Sequence, residues 1–118
     1  MLAEDDRDLR ELLSGVLRSD GASVVAVTNG REALEEIQRE GSDFDAVVLD
    51  NRMPVMTGLE VLRAARSAGS TVPVVLITSF LDHELVDRAI ALGVATVIDK
   101  PFDAEQLREV IAKLACPA

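Results

Sequence analysis

Short apolar runs alternate along the chain with stretches in which apolar residues recur every third or fourth position. The runs are Leu2-Ala3, Ser23–Val27, Ala46–Leu49, Val72–Ile77 and Ala95–Ile98, rich in β-branched Val and Ile. Their continuity predicts strands buried on both faces. Between them lie stripes at helical spacing: Leu9, Leu12, Leu13, Val16 and Leu17; Ala33, Leu34 and Ile37; Val61, Leu62 and Ala65; Leu85, Val86, Ala89 and Ile90; Leu107, Val110, Ile111 and Leu114. Each stripe predicts a helix with one inward face. Start signals precede them: Asp8 with Glu11, Asn29 with Glu32, Thr57 with Glu60, Asp82, and Asp103 with Gln106. Gly21, Gly41 and Gly93 mark helix ends.

Strand and helix alternate five times with short connections, which predicts a parallel sheet covered by helices on both faces through right-handed crossovers. No linker, repeat or low-complexity segment interrupts the pattern, so residues 1–118 are expected to form a single α/β domain. The first strand is odd. Two residues are short for a strand that such a fold places centrally, and the natural chain is expected to begin a few residues earlier.

Composition narrows the function. A net charge of −9 argues against direct nucleic-acid contact and against anionic membrane surfaces, both of which need basic surface. No apolar run approaches a membrane span, and Met1-Leu2-Ala3 leads straight into acids, unlike a signal peptide. The single cysteine, Cys116, excludes an internal disulfide and suits a cytoplasmic protein.

In a parallel sheet every strand delivers its C-terminal residues to one edge, where ligands collect in α/β folds. Here the first strand delivers Glu4, Asp5 and Asp6, the third Asp50, the fourth Thr78 and Ser79, and the fifth Lys100. Converging carboxylates repel each other unless a cation neutralises them. Their hard oxygens suit Mg²⁺, which retains waters and leaves room for phosphate oxygens. A hydroxyl and an ammonium opposite the acids match the needs of a phosphoryl group. Asp50 is then a candidate nucleophile forming an aspartyl phosphate. Singly, each residue reads equally well as a solvated charge or a polar strand end. Jointly, four strand ends matched by accident are improbable.

The chain resembles, over essentially its whole length, the receiver domain of two-component response regulators. The motifs carrying the resemblance are Glu4-Asp5-Asp6 with Arg10, Asp50-Asn51-Arg52-Met53-Pro54 with Gly58, Ile77-Thr78-Ser79, and Gly93 leading to Lys100-Pro101-Phe102. The resemblance implies a flavodoxin-like, doubly wound (βα)5 sheet of order 2-1-3-4-5. It implies Asp50 as phosphoacceptor, served by a sensor histidine kinase or a histidine phosphotransfer protein. It implies Mg²⁺ (or Mn²⁺) held by Asp5, Asp50 and the backbone carbonyl of Arg52, with Glu4 acting through water. Thr78 becomes the switch hydroxyl, Lys100 the phosphate contact, and Lys100-Pro101 a cis peptide. Asp6 receives no definite role. Output would pass to an attached domain or a homodimer through the face of helix four, strand five and helix five. On this reading the protein is a signalling switch that phosphorylates and dephosphorylates itself, not a turnover enzyme.

Val97 departs from the family, which commonly carries Tyr or Phe three residues before the lysine, so the output relay is expected to differ. Arg52 and Phe80 are candidates for gating water at the phosphate. A degenerate receiver serving as a constitutive scaffold is the competing reading, but such chains usually lose an acid, the acceptor or the lysine, and none is lost here. Dehalogenase-type phosphatases want a second Asp where Arg52 stands. Flavin carriers of this topology want a Ser/Thr phosphate loop where this chain is acidic.

Overall fold

The computed structural model describes residues 1–79 and 82–115. The elements follow the expected alternation: β1 (Leu2–Ala3), α1 (Arg7–Ser19), β2 (Ala26–Val27), α2 (Gly30–Gln38), β3 (Val47–Asp50), α3 (Gly58–Ser67), β4 (Val74–Thr78), α4 (His83–Ala91), β5 (Thr96–Asp99) and α5 (Ala104–Ala115). All strand pairs are parallel, in the order β2-β1-β3-β4-β5. This is the flavodoxin-like doubly wound order.

The side-chain alternation of the strands divides the core in two. Ala3, Val47, Leu49, Val74 and Leu76 face α2, α3 and α4 through Ala33, Ile37, Val61, Leu62, Ala65 and Ala89. Leu2, Val48, Val75, Ile77 and Ile98 face α1 and α5 through Leu13, Leu17 and Leu107. Because both faces are covered, the strands read as unbroken apolar runs.

Several expectations shift. β2 is paired only over Ala26–Val27, although its run begins at Ser23. β4 starts at Val74, and the Pro73 carbonyl just before it accepts from the Val47 N–H at 2.8 Å. Helix α1 is capped by Asp6, whose carboxylate accepts from Leu9 N–H at 3.1 Å, so Asp8 lies in the first turn. Leu12 does not belong to the inward face: it is 57 % exposed. At 3.6 residues per turn it lies about 120° from the centre of the Leu13–Leu17 stripe. Ile90 is likewise 63 % exposed, about 100° from Ala89. Asn29 caps α2 by accepting from Glu32 N–H at 2.9 Å, but Glu32 reaches back to Thr28 N–H rather than completing a box on Asn29. The Thr57–Glu60 box on α3 is complete.

Candidate functional site

Asp50 ends β3, Thr78 ends β4, and Glu4 and Lys100 each follow the last residue of β1 and β5. Parallel register brings these ends to one rim: Asp50 lies beside Ile77, and Thr78 beside Asp99. The Lys100 N–H continues the ladder to the Thr78 carbonyl at 2.8 Å. Burial limits how far each strand continues, because a buried strand tolerates a carboxylate only where it finds partners.

Glu4, Asp5 and Asp50 each present an oxygen, and these lie within 4.8 Å of one another. Glu4 and Asp50 are buried and Asp5 is exposed. The Lys100 ammonium donates to Asp50 Oδ2 at 2.5 Å and to Glu4 Oε1 at 3.3 Å. Asp50 Oδ1 accepts from the Arg52 N–H at 2.9 Å, and Glu4 Oε2 from the Asp6 N–H at 3.3 Å. Burial, then the hydrogen bond and the charge of Asp50, push the Glu4 carboxyl up to about 8. Burial alone would lower the Lys100 ammonium, but Asp50 and Glu4 outweigh it and the net shift is upward. The rim therefore holds more negative charge than one lysine offsets. An oxygen-only donor set under this repulsion fits a hard divalent cation. The pocket measures about 470 Å³ and is also lined by Arg52, Met53, Pro54, Thr57 and Ser79.

Residues behind the rim shape its loops. Gly58 packs so closely that a Cβ there would lie 2.8 Å from the Asp50 carbonyl and from Leu76 Cδ1. Asn51 ties the same loop to α3, accepting from Leu59 N–H at 3.0 Å through its side chain. Gly30, opening α2, lies against the backbone of Met56, where a Cβ would collide. The Lys100-Pro101 bond is cis.

Of the residues singled out from sequence, Glu4, Asp5, Asp50 and Lys100 converge directly, and Arg52 joins them through its amide. Thr78 is buried just beneath the rim, and Ser79 reaches the pocket. Val97 is half-buried against the α2–α4 side of the core. Phe80 and Cys116 lie outside the described residues. Sequence reasoning missed the buttress at Gly30, which a Gly following an N-cap Asn could have signalled. It also missed Val55, which takes φ +75° in the loop after Asp50. Asp6, left without a role, is the α1 cap.

A family model described as the response regulator receiver domain matches residues 1–112. The chain is 27 % identical over 113 residues to sporulation initiation phosphotransferase F of Bacillus subtilis, covering 96 % of this chain and 90 % of that protein. It is 36 % identical over 115 residues to response regulator protein FleR of Pseudomonas aeruginosa, covering 98 % of this chain but 24 % of the relative. Among solved structures, a DNA-binding response regulator of the LuxR family from Staphylococcus aureus superposes with a TM-score of 0.85 at 30 % identity, covering 98 % of this chain and 96 % of that one. The chain thus spans most of one curated relative and about a quarter of the other. Among the described residues, no helix is long and apolar enough to cross a membrane.

Proposed function

The chain belongs to the response regulator receiver domain family, and from that premise we propose that it is a phosphorylation switch whose acceptor is Asp50. The observation that carries this reading is the convergence of Glu4, Asp5 and Asp50 within 4.8 Å, with Lys100 bridging two of them. Asp5, Asp50 and the Arg52 carbonyl would hold Mg²⁺ or Mn²⁺, with Glu4 contributing through water. Bound there, the cation supplies positive charge to oxygens that become more negative during transfer.

The phosphoryl group comes from a phosphohistidine of a sensor kinase or phosphotransfer protein. A carboxylate oxygen of Asp50 forms the new O–P bond while the P–N bond breaks, and its electron pair returns to the imidazole. The Arg52 amide fixes Oδ1. Oδ2 is held by a flexible lysine, so it is the oxygen freed when Lys100 follows the incoming phosphoryl oxygens. The Thr78 hydroxyl donates to the phosphoryl group from below and carries the switch into the loop after β4. Val97 has no ring to swing, so output proceeds through that loop and α4, toward an attached domain or a second copy on the α4–β5–α5 face. A cytoplasmic setting follows from the kinase partner.

Incubation with acetyl phosphate and Mg²⁺ tests the reading. Wild type should gain one acid-stable, hydroxylamine-labile phosphoryl group, and Asp50→Asn should gain none. Equal labelling of both proteins sinks Asp50 as the acceptor, and no labelling of wild type sinks the switch and favours a scaffold.

A further inference from the structure

The Arg10 side chain holds two successive carbonyl oxygens of the acidic loop: its Nη1 donates to the Glu4 carbonyl at 3.0 Å and to the Asp5 carbonyl at 3.4 Å. Its backbone N–H makes the ordinary first helical bond of α1, to the Asp6 carbonyl at 2.9 Å. The loop at Glu4 and Asp5 is therefore fastened from α1, one turn beyond its N-cap.

The choice of partners is informative. A guanidinium on a helix that follows an acidic loop would ordinarily pair with a carboxylate, since such charge-assisted bonds are strong. Among the described residues, the hydrogen bonds of Arg10 go to carbonyls and none goes to a carboxylate. It adds positive charge behind the rim while leaving the Glu4 and Asp5 side-chain oxygens to face the pocket. One guanidinium nitrogen spans both carbonyls, so a single group sets the orientation of two peptide units.

We propose that Arg10 is a positioning residue for the divalent cation: by clamping the Glu4 and Asp5 carbonyls it fixes the direction in which those two carboxylates enter the pocket. This rests on the receiver reading above. Outer residues that orient metal ligands typically change affinity by about 10- to 100-fold when removed.

The test is the Mg²⁺ dissociation constant, by calorimetry, of wild type, Arg10→Met and Arg10→Lys, with melting in EDTA by far-UV circular dichroism alongside. Arg10→Met keeps the apolar stem and loses the donor to both carbonyls, and should bind Mg²⁺ about tenfold more weakly. Arg10→Lys retains one carbonyl contact and should recover part of the loss. Its melting temperature in EDTA should stay near that of wild type. Should Arg10→Met fail to fold, Arg10→Lys decides alone, since weaker binding at unchanged metal-free stability is not what a merely structural residue gives. Unchanged affinity in the folded variants overturns the proposal while leaving the receiver reading intact. Absence of Mg²⁺ binding by wild type overturns the receiver reading itself.

Discussion

Replacing Glu4 by Gln removes a carboxylate that folding both buries and sets against Asp50, and the consequence is readable as a change in the pH dependence of stability. The folded carboxyl titrates near 8 against an ordinary value of 4.5. A folded value above the unfolded one means that the native state binds the extra proton. The contribution is therefore complete below 4.5 and lost as pH rises through about 8. At about 1.4 kcal/mol per pH unit the full window carries at most about 5 kcal/mol in the metal-free protein.

Stability in EDTA should therefore fall with rising pH between 4.5 and about 8, and between 4.5 and about 6 alone the fall is about 2 kcal/mol. In Glu4→Gln the fall disappears. The assay is urea unfolding followed by far-UV circular dichroism, because the chain has no Trp or Tyr. Asp20 and Glu32 are shifted downward by Arg108 and Thr28 respectively, so their titrations lie below this window. A constant difference between wild type and Glu4→Gln from 4.5 to about 8 would refute the account of Glu4.

Three further outcomes concern the loops and the core. Gly30→Ala places a Cβ against the Met56 backbone, so it should cost about 1–3 kcal/mol and weaken Mg²⁺ binding by shifting the loop that carries Arg52; paired urea unfolding and calorimetry check both. Val55 is 73 % exposed at φ +75°, so Val55→Gly sacrifices no burial and should raise the urea-unfolding free energy by about 1 kcal/mol through relief of backbone strain. Ser14 Oγ is buried without a hydrogen-bond partner, and Ser14→Ala should leave stability unchanged or raise it by about 1 kcal/mol in the same measurement.

Much of the molecule was legible because its signals are local or repeat with a fixed period. Four apolar residues, Ala46 to Leu49, ending on Asp50 state both where a strand is buried and where burial stops. Thr57 and Glu60 find each other three residues apart, so their box needs no tertiary information. Helix faces were legible less completely. Leu12 and Ile90 satisfy an apolar spacing yet lie at the far edge of it, because the periodic pattern fixes a stripe's direction more sharply than its width. Asp8 met the rule for a cap, but Asp6 takes the position because the chain leaves β1 and turns into α1 two residues sooner.

The chemistry of the rim and the support of the rim differ in kind. Asp50, Lys100, Glu4 and Asp5 act through charges that must meet at one sheet edge, and parallel topology alone places them there. The contacts behind them run between backbones and distant residues. Arg10 reaches carbonyls that every residue possesses, and Gly30 is defined by the absence of a side chain beside Met56. Arg10 stands among the motif residues and Gly30 follows an N-cap Asn, but neither signal states what the residue touches. A motif therefore assigns which oxygens meet a cation but not how rigidly they are held. Two chains with the same acids, acceptor and lysine can then differ in cation affinity through residues that never touch the ion.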